Sequence, residues 1–156
     1  MSIDLAKRHL EKFSLAEEVL EFTVSSATVE LAAKALNCRP GEIAKTLSFI
    51  VDDKPILIVV AGDYKVDNSK FKERFHTKPK MIPAEMVEEY IGHSIGGVCP
   101  FGVKDSVTTY LDESLKEHDF VYPACGSSNS AIRLGIAMLE KVSLSSGWVS
   151  VTKKID

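Results

Sequence analysis

The fold of this chain is decided by Leu47-Ser48-Phe49-Ile50-Val51 and Ile56-Leu57-Ile58-Val59-Val60, two β-rich runs separated by Asp52-Asp53-Lys54-Pro55. Two such runs around a short polar connection predict a β-hairpin, here with a four-residue loop. The second run is almost wholly apolar, as is typical of strands that are covered on both faces. We therefore expect Ile56–Val60 to lie near the centre of a sheet.

Helical patterns flank the hairpin on both sides. Thr28 suits the N-cap of a helix that ends at Leu36, where Asn37 can stop it in a left-handed conformation. Asn68 suits the cap of a short helix that ends near Phe75. A first helix would carry on one face Leu5, Leu10 and Phe13. Further helical turns are expected to begin at Pro40, Pro83 and Asp112.

Short apolar runs predict the remaining strands: Val19–Phe22, Met81–Ile82, Val107–Leu111, Phe120–Tyr122, Ala131–Leu134 and Trp148–Val151. Strands and helices are mixed, tight loops join neighbouring strands, and no linker divides the chain. We therefore expect an α+β fold in a single domain over residues 1–156. Its sheet would be mixed, mostly antiparallel and curved, with helices packed around it.

Composition narrows the class of protein. The 156 residues can bury a sizeable core, and no apolar run approaches the roughly 20 residues that span a bilayer. The first residues lack the apolar segment of a secretory signal, and three unevenly spaced cysteines suggest no disulfide framework. These features predict a cytoplasmic protein with no membrane partner. A net charge of −3 argues against a general coat for nucleic acid.

The charge is nevertheless uneven along the chain. The stretch from Lys65 to Lys80 holds six bases and two acids. A solvated helix face explains most runs of this kind. The alternative is a local phosphate-binding patch.

The loop Gly96-Gly97-Val98-Cys99-Pro100-Phe101-Gly102 concentrates three glycines and a proline. Glycine permits positive φ and close approach of another molecule, and proline fixes φ. Such a loop can direct its N–H groups at a carbonyl oxygen, an oxyanion or a phosphate. A tight connection into a buried strand is the simpler alternative.

Two side chains could carry chemistry. Lys45 lies among apolar neighbours at the start of the hairpin, either with its stem along apolar surface or as a fixed cation at a pocket. Cys99 could be a nucleophile only with a base to lower its pKa, and His93 and His118 are the nearby candidates. A small buried cysteine is the simpler interpretation. Cysteine and histidine spacing shows no metal motif, so we expect neither metal nor cofactor.

Three segments in order, Gly41–Phe49, Gly96–Gly102 and Gly126–Ile132, resemble the YbaK / prolyl-tRNA synthetase-associated editing domain family. The similarity extends over nearly the whole chain from Val19. The family hydrolyses the ester of wrongly charged aminoacyl-tRNA, within a synthetase or as free proteins. The chain departs from members that clear cysteine at two positions: Cys99 stands where they often have serine, and Ala131 where they often have an acid.

The resemblance implies roles for particular residues. Lys45 would be the essential lysine, and the N–H groups of the loop, Gly97 foremost, would hold the ester carbonyl. The remaining substrate-binding candidates are Gly96, Val98, Cys99, Pro100, Ser127, Ser128 and Asn129. The acceptor stem would contact the basic stretch through Lys70, Lys72, Arg74, Lys78 and Lys80.

The sequence thus predicts a free-standing trans-editing hydrolase that acts at the acceptor end of a mischarged aminoacyl-tRNA, alone or with a synthetase. One alternative is a non-catalytic tRNA-binding or regulatory protein on the same fold. Another is a thiol hydrolase that uses Cys99. The sequence identifies neither the amino acid nor the tRNA.

Overall fold

The structure is a computed structural model that describes residues 2–156. The α-helices are α1 (Ser2–Glu11), α2 (Val29–Leu36), α3 (Asn68–Phe75), α4 (Val87–Ile91) and α5 (Ile136–Val142). The strands are β1 (Leu20–Glu21), β2 (Ile43–Val51), β3 (Lys54–Ala61), β4 (Tyr64–Val66), β5 (Thr108–Asp112), β6 (Phe120–Pro123), β7 (Ser130–Ala131), β8 (Leu134–Gly135), β9 (Trp148–Val149) and β10 (Thr152–Lys154). Short 3₁₀ helices lie at Ala16–Glu18, Pro40–Glu42, Ala84–Met86 and Glu113–Glu117.

The main sheet has six strands in the order β8-β6-β2-β3-β5-β9. Antiparallel pairs join β2 to β3 and β6 to β8, and parallel pairs join β2 to β6, β3 to β5 and β5 to β9. Two small antiparallel sheets add β1 with β7 and β4 with β10. The predicted α+β fold with a mixed sheet is confirmed. The run Ile56–Val60 is indeed central, and every residue of it is buried.

The hairpin differs from the prediction in its loop. The strands extend to Val51 and Lys54, so the turn has two residues, Asp52 and Asp53. Both have positive φ, 52° and 64°. Aspartate tolerates this conformation, and the two-residue turn with left-handed centres matches the twist of the paired strands.

The ends of α2 agree with the prediction, whereas the start of α3 and the Met81–Ile82 segment differ from it. Thr28 caps α2, where its side chain accepts a hydrogen bond from the N–H of Leu31 at 3.1 Å, and Asn37 ends that helix in the left-handed region. The prediction of Asn68 as the next cap was wrong, because the carboxylate of Asp67 accepts from two N–H groups at the start of α3. The predicted strand at Met81–Ile82 is a single bridge between Phe49 and Met81.

The surroundings of β2 position the site. Strand β6 pairs with β2 only at Ile43 and Ala44. Farther along the same edge, Ile50 donates to the carbonyl of Lys80 at 2.9 Å, and the N–H of Ile82 donates to Ser48 at 3.2 Å. Between these contacts the outer edge of β2 has no neighbouring strand among the described residues. A cavity opens at this gap.

Across residues 2–156, no helix combines the length and the apolar composition needed to cross a membrane.

Candidate functional site

A cavity of about 520 Å³ lies along the open edge of β2. Its lining comes from five segments: the start of α2 with the residues just before it, β2 from Ile43 to Ser48, the Met81–Val87 segment, the glycine loop with Ile95, and the stretch from Tyr122 to Ala131. The walls are mainly apolar and include Val29, Ile43, Leu47, Ile82, Val87, Ile95 and Val98. An apolar cavity with few polar groups is the usual form of a small-molecule site.

Lys45 carries the only charged side chain among the described residues that line this cavity. It is half-buried, and its Nζ donates to the carbonyl of Gly62 at 3.4 Å. Burial lowers the pKa of Lys45, while the carboxylates of Asp63 and Glu30 oppose that decrease. The sequence prediction of a cation at a pocket therefore agrees with where the structure places this lysine.

The glycine loop contributes Gly96 and Val98 to the cavity wall. Gly96 has a φ of 91°, a conformation that favours glycine. Gly97 lies behind the wall, where a Cβ would come within 2.6 Å of the backbone of Gly126 and Ser127. Its N–H donates to the carbonyl of Ser94 at 3.1 Å. Gly97 thus permits close loop packing, and its N–H already has an acceptor.

Cys99 is fully buried beneath the loop and does not line the cavity. Its Sγ lies 3.5 Å from Nε2 of His93 and 3.6 Å from the carbonyl of Phe101. Burial raises the pKa of the Cys99 thiol to about 12. Pro100 lines a separate cavity of about 340 Å³ between α1 and the loop.

The segment Ser127–Asn129 supports the loop from behind. Ser127 and Ser128 line a neighbouring cavity of about 450 Å³. Asn129 donates from Nδ2 to the carbonyl of Phe22 at 2.9 Å and accepts from the Ser127 hydroxyl at 3.0 Å. The following residues, Ser130 and Ala131, reach the candidate cavity instead.

The five basic candidates divide into two groups. Lys70, Lys72 and Arg74 belong to α3, which packs through Phe71 on the hairpin face that bears Phe49. Lys70 donates to the carbonyl of Thr152 at 2.9 Å, and Arg74 covers the rings of Phe75 and Tyr110.

Lys78 and Lys80 form the second group. Both are exposed, and they lie three residues and one residue before Met81, which lines the cavity. Of the five basic candidates, these two are therefore nearest in sequence to the cavity wall.

Sequence reasoning missed several polar positions in the cavity wall, namely Thr46, Ser48, Ser130 and Thr28. The signal for the first two was present, because they are polar residues inside an otherwise apolar strand. Thr46 Oγ1 is buried and has no hydrogen-bond partner within the described part of the chain. A bound molecule could supply that partner.

Groups of three or more His, Cys, Asp or Glu side chains able to hold a metal ion do not occur within residues 2–156.

The chain belongs to the aminoacyl-tRNA editing domain family, whose sequence profile matches residues 23–142. A relative of nearly equal length is the uncharacterised protein YwhH of Bacillus subtilis, 46% identical over 154 residues, which are 98% of each chain. EbsC of Enterococcus faecalis, named as a candidate Cys-tRNA(Pro)/Cys-tRNA(Cys) deacylase, is 27% identical over 83% of this chain and 81% of its own.

Comparisons with a synthetase and with a solved structure agree with this membership. The proline–tRNA ligase of Lactiplantibacillus plantarum is 29% identical over 61% of this chain, a match that spans 17% of the ligase. The crystal structure of a candidate trans-editing enzyme for prolyl-tRNA synthetase superposes with a TM-score of 0.87 at 26% identity, covering 97% of both chains. The resemblance found in the sequence is therefore confirmed for family and fold.

Proposed function

We propose that this protein is a trans-editing deacylase that hydrolyses the ester of a mischarged aminoacyl-tRNA. The observation that carries the proposal is the lone Lys45 ammonium at an apolar cavity bordered by the glycine loop. Family membership and a relative named as a candidate deacylase support it. The cavity would take the aminoacyl group, and the tRNA acceptor end would lie outside it.

The loop and Lys45 would act on the ester by electrostatics. An aminoacyl ester is already activated, so water can attack once the carbonyl is held and polarised. Among residues 2–156, no backbone carbonyl accepts a hydrogen bond from the N–H of Gly96 or Val98. We assign these two N–H groups, in place of Gly97, as donors to the oxyanion. One such donor contributes roughly a hundred- to a thousandfold in rate.

Lys45 would fix the terminal phosphate or the carbonyl oxygen with its ammonium. The rest of the cavity wall is uncharged, which suits an uncharged amino-acid side chain. Proofreading has a physical motive, because a synthetase pocket separates side chains that differ by one methylene by only about 1–3 kcal/mol.

A non-catalytic tRNA-binding protein is the second candidate. Ala131 lines the cavity, and no Asp or Glu side chain among the described residues does so. A carboxylate base for the attacking water is therefore missing from the wall. This observation favours binding without turnover and makes an activity assay decisive.

The test is a panel of tRNAs, each charged with a cognate or near-cognate amino acid, incubated with the purified protein. We expect release of a small uncharged amino acid from at least one mischarged tRNA. Lys45→Ala should lower that rate by at least about a hundredfold. Its melting temperature should change little, because a half-buried lysine that makes one long hydrogen bond contributes little to folding.

Lys34→Ala provides the matched control, because it removes an exposed lysine from α2. It should leave the rate unchanged. Release from no tRNA, together with tight tRNA binding, would replace the hydrolase with the binding protein. Full activity of a folded Lys45→Ala variant would remove this lysine from the mechanism.

A further inference from the structure

The turn between β3 and β4, Gly62-Asp63, lies directly beside the Lys45 side chain. Gly62 donates its N–H to the carbonyl of Ile43 at 2.7 Å and accepts from Lys45 Nζ with its own carbonyl. The carbonyl of Asp63 accepts from the N–H of Ile155 at 2.9 Å. Backbone hydrogen bonds thus fix this turn to β2 and to the residue that follows β10.

Two glycines allow the turn to come this close. A Cβ on Gly62 would lie 2.2 Å from the carbonyl oxygen of Pro40. A Cβ on Gly41 would lie 3.0 and 3.1 Å from the two carboxylate oxygens of Asp63. Gly41 lies just before β2, in the segment that leads to Lys45. Its lack of a side chain leaves room for the Asp63 carboxylate at the start of β2.

The Asp63 carboxylate is incompletely paired. Oδ2 lies 3.8 Å from Nζ of Lys154, a distance at the limit of an ion pair. Oδ1 is buried and has no hydrogen-bond partner among residues 2–156. A buried oxygen without a donor is costly. The Lys45 ammonium has three donors, and the carbonyl of Gly62 accepts only one of them.

We infer that Asp63, seated against Gly41, is a positioning residue that keeps the Lys45 ammonium charged and directed along the cavity edge. The inference rests on the proposed function of Lys45. Burial lowers the pKa of Lys45, and Asp63 is the foremost group that opposes this, with Glu30 of α2 second. Lys154 of β10 faces the same carboxylate, with its Nζ 3.8 Å from Oδ2.

The test measures the charge of Lys45 directly. Acetylation by acetic anhydride modifies only the neutral amine, so its rate at Lys45, followed by peptide mass spectrometry over a pH series, reports the protonation state. Removing a carboxylate destabilises the ammonium. In Asp63→Asn we therefore expect Lys45 to be acetylated at least about twofold faster at pH 8. The alkaline limb of the deacylation profile should move to lower pH in the same variant.

Two variants serve as comparisons. Asp63→Glu restores the charge and should return the acetylation rate toward that of the native protein. Asp53→Asn removes a carboxylate from the far end of the same hairpin, seven residues or about 23 Å along β3 from Val60, the partner of Lys45, and should change nothing. Melting curves establish that each variant is folded.

An unchanged Lys45 acetylation profile in folded Asp63→Asn overturns the inference. If that variant does not fold, the acetylation profile of Lys45 in the native protein provides the test. A Lys45 amine that is mostly neutral at pH 7 refutes the role of Asp63. The acetylation profile needs no substrate. A protein without deacylase activity but with the expected profile would therefore refute the proposed function and leave standing the inference that Asp63 keeps Lys45 charged.

Discussion

At the scale of single residues, Cys99 shows that a cysteine can be made unreactive by burial. His93 donates from Nε2 to the carbonyl of Phe101 at 2.6 Å, so that nitrogen carries its proton and cannot accept one from the thiol. Burial lowers the pKa of His93 and raises that of Cys99. Both shifts favour a neutral pair, which is the opposite of what an activated thiolate requires.

Cys99→Ser should therefore keep most of the deacylase activity. Serine is close in size, although its hydroxyl must find an acceptor in the buried site, and the carbonyl of Phe101 is near enough to serve. The measurement is the rate of amino-acid release at saturating substrate. A nearly complete loss of activity, or an acyl-thioester trapped at low pH, would establish Cys99 as the nucleophile.

The sequence predicts Lys45 and Gly96 at a pocket because each residue type is unusual in its surroundings, and both residues line the cavity. A lysine inside a β-rich run and a glycine beside a second glycine are visible without coordinates. The resemblance assigns Gly97 and Asn129 to the substrate site, but in the structure both lie behind the cavity wall. Which of two adjacent residues faces a cavity depends on one backbone rotation. That rotation cannot be read from the residue types alone.

At the scale of secondary structure, the termini of α2 were predictable because local chemistry determines them. Thr28 and Asn37 are suited to their positions whatever surrounds the helix. The parallel pairing of β3 with β5 was not predictable in this way. It joins segments about 50 residues apart, and only tertiary packing selects that neighbour.

The Thr28 cap leads to a stability prediction. Thr28→Ala removes the acceptor for the N–H of Leu31 and should cost about 1 kcal/mol. For a chain of this length that corresponds to a decrease in melting temperature of about 2–4 °C. Differential scanning calorimetry provides the measurement, with Thr23→Ala at an exposed position as the control. Equal melting temperatures for the two variants would contradict the cap.

At the scale of the whole molecule, we expect Lys78 and Lys80 to contribute to tRNA binding and the cavity to contribute to ester hydrolysis, so that the two effects can be separated. Replacing Lys78 and Lys80 with glutamate reverses two exposed positive charges within three residues of Met81 in the cavity wall. Phosphate contacts release counterions, with a log–log salt slope of about −0.7 to −0.9 per contact. We therefore expect weaker binding of full-length tRNA and a salt slope smaller in magnitude by about 1.5.

The same double variant should hydrolyse a short aminoacyl-nucleotide almost normally, because that substrate is too small to reach the patch. The control replaces Lys141 and Lys153, two exposed lysines outside the basic stretch, with glutamate. It changes the net charge by the same amount. An equal loss of tRNA affinity in both double variants would show that only overall charge matters.

Helix α1 lies outside the region matched by the family profile, yet it packs against the loops that border the site. The added Cβ positions of Gly102 and Gly126 would collide with the carbonyls of Leu5 and Ser2 at 2.4 Å. His9 accepts from the N–H of Gly102 at 3.0 Å. That amide can exchange its hydrogen with solvent only when α1 lifts away. Its exchange rate therefore reports the free energy of a local opening in which helix and loop separate together.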